Sequence, residues 1–339
     1  MISAPPAPAT PDDAAATGEP AHTSSAVTAR AVAFVAERRA PAEALGAALA
    51  ESINDPQAFA DALTRGLAGL ADPEYLAGQQ RIAPGIGAVH GVRWPLLAAV
   101  QRGFRRATRR DRPTALLFIA DRLFAERELE ARWFAFGLLE RTLADETERT
   151  WQLLRRAARE AGDWITVDSL AHPYARGIAA EPYRWAELEL LVYSQLRWER
   201  RLVGSTVATM SAVDRRRGRD PDVATHALPL LASLMGDAEP DVQKALSWAY
   251  RSLTVGDPDA TEAALRAQAD LAATTGDGHR AWVIRDTLAK LDPAVAAELR
   301  TRLAGIRKRH DAPATSQAAA TAAQFGRLPD PATLPEPPL

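Results

Sequence analysis

Apolar residues recur with a period near 3.6 in almost every segment of the middle of this chain, and that rhythm leaves one fold class open. It is visible in AVTARAVAFVAERRA, PAEALGAALAESI, TALLFIADRLFAE, ELEARWFAFGLLERTL, RWAELELLVYSQLRWERRLVGSTV, DVQKALSWAYRSL and DATEAALRAQADLA. Alternating β-branched runs and Asn-Gly hairpin signals do not occur, so the expectation is all-α. The periodic stretches are cut by Asp55-Pro56, Asp72-Pro73, Glu181-Pro182, Glu239-Pro240 and Asp257-Pro258. Each pair predicts a helix start with Pro in the first turn, where its missing N–H costs nothing. Helix pairs recurring every ~35–45 residues predict an α-solenoid of HEAT-like repeats, with a curved, concave surface. A compact helical bundle is the alternative, because the repeat is degenerate in sequence.

The ends read differently from the middle. Residues 1–25 and 311–339 are rich in Ala, Pro, Thr and Ser and offer little apolar surface to offset the entropy of ordering, so both are expected to be disordered tails flanking a helical domain at 26–310. The 339-residue chain has a formal net charge of −2, and the two ends carry −3 and −2 of it, which leaves +3 on the domain. A mildly basic body is compatible with nucleic acid without arguing for it. The 38 arginines against Lys244, Lys290 and Lys308 reflect a GC-rich coding bias more than selection for phosphate binding. Cysteine is absent, which excludes disulfides, thiolate zinc sites and cysteine nucleophiles and fits a cytoplasmic protein. The six histidines are scattered away from metal-ligand spacing, so neither a metal nor another cofactor is expected. The N-terminus has no signal-peptide pattern, and no apolar run is long enough to span a membrane.

Three stretches carry candidate chemistry. In GDWITVDSLAHPY, Val167, Leu170, Ala171 and Tyr174 form the core stripe of a helix, with Trp164 and Asp168 one turn apart on its flank. Asp168 is too deep in the helix to cap it and has no Lys or Arg at i±3 or i±4. It is either a solvated boundary carboxylate or one held at the mouth of a groove to face a cation. In the helix starting near Pro240, Val242, Leu246, Ala249 and Leu253 form the stripe, and Trp248 lies about 120–130° from its centre, beside Lys244 and Arg251. Trp248 is either an edge side chain covered by a neighbour or an aromatic surface for a nucleotide. Between these stretches, Arg197, Arg200 and Arg201 surround Trp198.

Two further basic groups stand out. Arg102, Arg105, Arg106, Arg109 and Arg110 predict one continuous helical ridge, which is either a solvated face or a track for phosphates. Asp214-Arg215-Arg216-Arg217-Gly218-Arg219 reads as a loop. No GxGxxG, P-loop, HExxH or GxSxG pattern competes with these candidates.

At these residues the chain resembles the HEAT-repeat DNA alkylation repair proteins, a family that includes 3-methyladenine and 7-methylguanine DNA glycosylases. The likeness runs over about residues 80–305, through VHGVRWPLL, AERELEARWFAFGLLER, DWITVDSL, LRWERRLVGST and DVQKALSWAYRSL in order. The resemblance implies that Trp164 and Asp168 fill a WxxxD motif with Asp168 catalytic, that Arg201 contacts a phosphate, and that Trp248 is a second active-site aromatic. Arg200, Lys244, Arg251, Arg102, Arg105, Arg106 and Arg109 are expected to bind DNA around them. A second Trp often precedes the WxxxD unit in the family; here the place is taken by Asp163.

The implied activity is hydrolysis of the N-glycosidic bond of positively charged N3- and N7-alkylated purines in duplex DNA, by a monomer, with the base kept near the stack. A non-catalytic DNA-structure binder and a protein–protein scaffold are the competing expectations.

Overall fold

The computed structural model describes residues 21–83, 87–110, 112–213 and 222–324. Among them the chain forms α1 (Ala21–Leu49), α2 (Pro56–Ala68), α3 (Pro73–Ile82), α4 (Trp94–Ala107), α5 (Pro113–Phe124), α6 (Leu129–Thr142), α7 (Thr147–Glu160) and α8 (Trp164–Ala180). It continues through α9 (Trp185–Val192), α10 (Arg197–Val213), α11 (Asp222–Leu234), α12 (Pro240–Gly256), α13 (Pro258–Thr275), α14 (Gly278–Thr287), α15 (Pro293–Arg302) and α16 (Gln317–Gln324). No strand occurs among the described residues, so the chain is all-α. None of their helices is long and apolar enough to cross a membrane.

The Asp-Pro and Glu-Pro pairs start helices as their chemistry requires. Asp55 and Asp257 are N-caps that accept from Ala58 N and Ala260 N, and Asp72 caps α3 from Glu74 N and Tyr75 N. Each satisfies an amide that the first turn leaves without an intrahelical partner. Pro240 opens α12, while Glu181-Pro182 opens a short 3-10 turn ahead of α9.

Two layers result. One contains α4, α6, α8, α10, α12 and α14, each packed on the next in sequence order, with α1 along α4. The other contains α2, α5 and α7, then α9, α11, α13 and α15. Consecutive helices pair across the layers, as α5 with α6 and α13 with α14. Neighbour-to-neighbour stacking of helix pairs fits a solenoid and not a bundle closed around one centre. The buried core accordingly falls into two clusters that join at α10. Leu202 and Met210 of that helix belong to the first, and Val203, Val207 and Ala208 to the second.

The domain extends further than composition predicts. Helix α1 begins at Ala21, inside the expected N-terminal tail. Residues 311–324 are not a tail: Thr315 N donates to Gly236 O at 2.9 Å, and Ser316 and Ala318 are buried. Hydrogen bonds through the main chain and through Thr315, Asp277 and His279, with one small apolar contact, hold this segment, and none leaves a mark in hydropathy. Residues 1–20 and 325–339, and the 214–219 arginine group, lie outside the described residues.

Candidate active site

The functional candidates gather on three consecutive helices of the α4–α14 layer. Side chains bridge neighbouring helices of this layer: Glu140 with Arg176, Asp168 with Arg201, and Ser247 with Asp286. The fifth residues of α6, α8, α10, α12 and α14, one rung from each helix in turn, read Trp133, Asp168, Arg201, Lys244 and Trp282. Asp168 stands on a helix of the first core cluster, Arg201 on α10, where the two clusters join, and Trp248 on a helix of the second.

Asp168 has the counter-ion its own helix lacks. Arg201 Nε and Nη2 donate to its two oxygens at 3.0 and 2.7 Å, a bidentate pair. Ser205 Oγ donates to Oδ1 at 2.6 Å. Arg201 Nη1 reaches Asp241 O at the start of α12 at 2.7 Å, so the guanidinium ties α8, α10 and α12 together. The Arg201 side chain is 6 % exposed and that of Asp168 is 17 % exposed. Their contact surface is thus nearly dry on the arginine side, while the carboxylate keeps an edge toward solvent. The Arg201 guanidinium faces Asp168 and not an open surface, an arrangement that positions a carboxylate and does not present a free phosphate ligand.

Trp164 lies beside this pair, and Trp248 stands on α12 of the same layer. Trp164, the first residue of α8, is half-buried and lies with its ring centroid 5.9 Å from the Arg201 guanidinium carbon. Trp248 is half-buried against the second cluster, off the buried Val242, Leu246, Ala249 and Leu253 stripe as its phase requires. Trp198 is covered instead by Arg197, 4.6 Å from its ring centroid. Gly204 of α10 sets the helix spacing here. A Cβ on it would come within 2.7 Å of Ala245 C and 2.9 Å of Ala245 O, so α10 and α12 meet main chain to main chain.

Asp163 is explained by capping. Its carboxylate accepts from Thr166 N at 2.7 Å and Thr166 Oγ1 at 2.6 Å, and Arg132 of α6 approaches it at 3.8 Å. The charge that replaces a second Trp is thereby absorbed at the α8 N-terminus, where the helix dipole favours an anion.

The predicted DNA-binding cations divide into two groups. Arg200 is committed to Asp237, at 2.7 Å, and to Ser194 O and Gln195 O, so it fastens loops and is not presented to solvent. Arg251 is bound by the Asp286 carboxylate and main chain. Arg102 and Arg106 share Glu43, each at 3.5 Å. The continuous ridge stops early, because α4 ends at Ala107 and Arg141 caps it from Thr108 Oγ1 and O at 3.0 and 3.3 Å. Arg109 and Arg110 therefore leave the helix face. Lys244, Arg105 and Arg109 are exposed and have no carboxylate within ion-pair distance among the described residues.

Sequence reading missed Ser205, although its i+4 spacing from Arg201 in RLVGS was a usable signal. It also missed His172, one turn past Asp168. Burial and the nearby Arg176 hold its pKa below the usual imidazole value, against a smaller pull from Asp168. His172 thus folds neutral, and charging it costs free energy. As pH falls through the unfolded histidine value near 6.5, the unfolded chain binds this proton first and stability drops. We expect His172→Gln to lessen the acid sensitivity of the melting temperature between about pH 7 and 5; equal acid sensitivity in the variant would refute this assignment.

An apolar groove of about 580 Å³ lies away from these residues, between α1, α3 and the start of α4, and no carboxylate lines it. No group of acidic or histidine side chains suited to a metal ion occurs among the described residues. No curated protein matches the chain. A family model described as DNA alkylation repair enzyme matches residues 63–291, a span that holds the Asp168–Arg201 pair, Trp164 and Trp248, and the chain belongs to that family.

Proposed function

We propose that the protein is a DNA glycosylase that hydrolyses the N-glycosidic bond of N3- and N7-alkylated purines in duplex DNA. The observation that carries this is one carboxylate, Asp168, fixed by three donors, with the half-buried Trp164 beside its arginine. An alkylated purine is already cationic and leaves with the bonding electron pair as a neutral base, so little acid catalysis is needed. The sugar is left oxocarbenium-like at C1′. A preorganised anion beside it stabilises that charge without reorganising, an effect of about 3–4 kcal/mol. Water then adds its oxygen to C1′, and its proton passes to Asp168 or bulk water.

Trp164 and Trp248 offer π faces to the cationic nucleotide. Arg201 and Ser205 act through Asp168 by holding its orientation. Release of 7-methylguanine and 3-methyladenine from methylated duplex by the purified protein tests the reading.

The same ion pair favours one other reading, a non-catalytic binder of DNA structures, in which Asp168 only fastens α8 to α10. Binding of alkylated duplex without any base release would decide for it.

The cations outside ion pairs should carry the backbone contacts. Neutralising Arg105 and Arg109 together is expected to lower the slope of log affinity against log salt by about 1.8, or 0.9 for each phosphate no longer neutralised. Neutralising Arg106, already shared with Glu43, should change the slope less. An unchanged slope for the first pair removes this end of the layer from the DNA path.

A further inference from the structure

The segment after α15 places a second set of cations next to Trp248's helix. From Leu303 the chain crosses the N-terminal ends of α14 and α12 before turning into α16. It is tightly held there. Arg285 Nη2 donates to Leu303 O at 2.5 Å and to Ile306 O at 2.7 Å. Lys308 Nζ donates to Gln243 Oε1 at 2.7 Å, one residue before Lys244. His279 bridges Gln243 at 3.1 Å and Ala312 O at 3.0 Å. A Cβ on Gly278 would sit 2.2 Å from Arg307 O, so the strap's main chain rests directly on the start of α14.

This fixed strap carries Arg307, Lys308, Arg309 and His310 in succession. Among the described residues, most arginines of the C-terminal half have carboxylate partners, as Arg200, Arg251, Arg266, Arg280 and Arg302 do. Arg307 and Arg309 are exposed and have none within ion-pair distance among the described residues. Lys308 lies 5.8 Å from the Trp282 ring centroid. Burial lowers its pKa, Lys244 lowers it further and Glu239 opposes, while Arg307 bears on Arg285 in the same repulsive way. The nearby acids are already engaged: Glu239 faces Arg197 and Asp311 faces His310. Arg307 and Arg309 thus stand beside Lys308 and Arg285 with no carboxylate of their own within ion-pair distance among the described residues, while Glu239 offsets part of the charge at Lys308.

We propose that Arg307 and Arg309 of the strap, with Lys244 of α12, form a phosphate-binding rim that takes up the DNA backbone beyond Trp248. The rungs continue in that direction, from Asp168 and Arg201 through Lys244 to Trp282, so a backbone passing the site runs onto the strap. The inference rests on the DNA-binding part of the proposed function and not on its chemistry.

The test is duplex affinity across a salt series for wild type and Arg307→Ala/Arg309→Ala. The double variant is expected to lower the slope of log affinity against log salt by about 1.8. Its rate of base release at saturating DNA should equal that of wild type. Arg307→Lys/Arg309→Lys should restore the slope, and Arg65→Ala/Arg300→Ala, on the opposite layer, should leave it unchanged. A wild-type slope in the first variant overturns the rim. So does an equal fall in the opposite-layer control, which would make the effect one of net charge. A wild type that binds duplex yet releases no base sinks the glycosylase reading and leaves the rim testable by slope. A wild type without salt-dependent DNA binding overturns both.

Discussion

Asp168→Asn is expected to lower single-turnover release of 7-methylguanine from methylated duplex by about 10²–10³-fold while duplex binding persists. The side chain keeps its shape but loses the anion that faces the developing sugar cation. It also places an amide where Arg201 now finds a carboxylate oxygen, so Arg201, 6 % exposed, is left partly unpaired. The rate must therefore be compared at a temperature where circular dichroism shows both proteins folded. Wild-type release by the folded variant would rule out the carboxylate's role, whatever happens to stability.

Arg201→Ala is expected to have the largest effect on stability. The substitution removes both bonds to Asp168 and the bond to Asp241 O, and leaves Asp168 with Ser205 as its remaining donor. Stranding one member of a buried pair costs about 3–5 kcal/mol, and the 17 % exposure of Asp168 argues for the lower end. Arg201→Lys should recover little of this, because an ammonium cannot make the bidentate pair and the carbonyl bond together. Denaturant unfolding of the two variants measures the loss. If Arg201→Lys equals wild type, a point charge suffices and the fork geometry is irrelevant. Ser205→Ala separates orientation from charge: it should slow base release by a smaller factor than Asp168→Asn with little change in stability.

What could be read in the sequence was local. Helix periodicity and the Asp-Pro starts involve groups within one turn of each other, and they locate α2, α3, α12 and α13 at their proline starts. The off-stripe phase of Trp248 and the uncompensated Asp168 were legible for the same reason. What closes the site was not. Asp168 and Arg201 are 33 residues apart and meet only because α8 and α10 are neighbours in one layer. α4 ends at Ala107, where Arg141 from α6 binds the C-cap residue Thr108, so helical phase carried the arginine ridge two residues too far. The second part of the strap, from residue 311, read as tail, since the strap's anchors, the side chains of Arg285, His279 and Gln243 and the missing side chain of Gly278, lie elsewhere in the sequence.

The contact at Gly204 has a consequence for how the site tolerates change. Side chains between helices trade volume, so a larger residue on one is commonly met by a smaller one on the other. Between α10 and α12 that exchange is closed at this level, because the obstacle is the Ala245 main chain itself. The spacing of α10, which carries Arg201, from α12, which carries Trp248, is therefore a backbone dimension. Variants selected for adducts of another size must adjust by exchanging side chains along these helices or by rotating whole helix pairs, and not by resizing the seam that joins them.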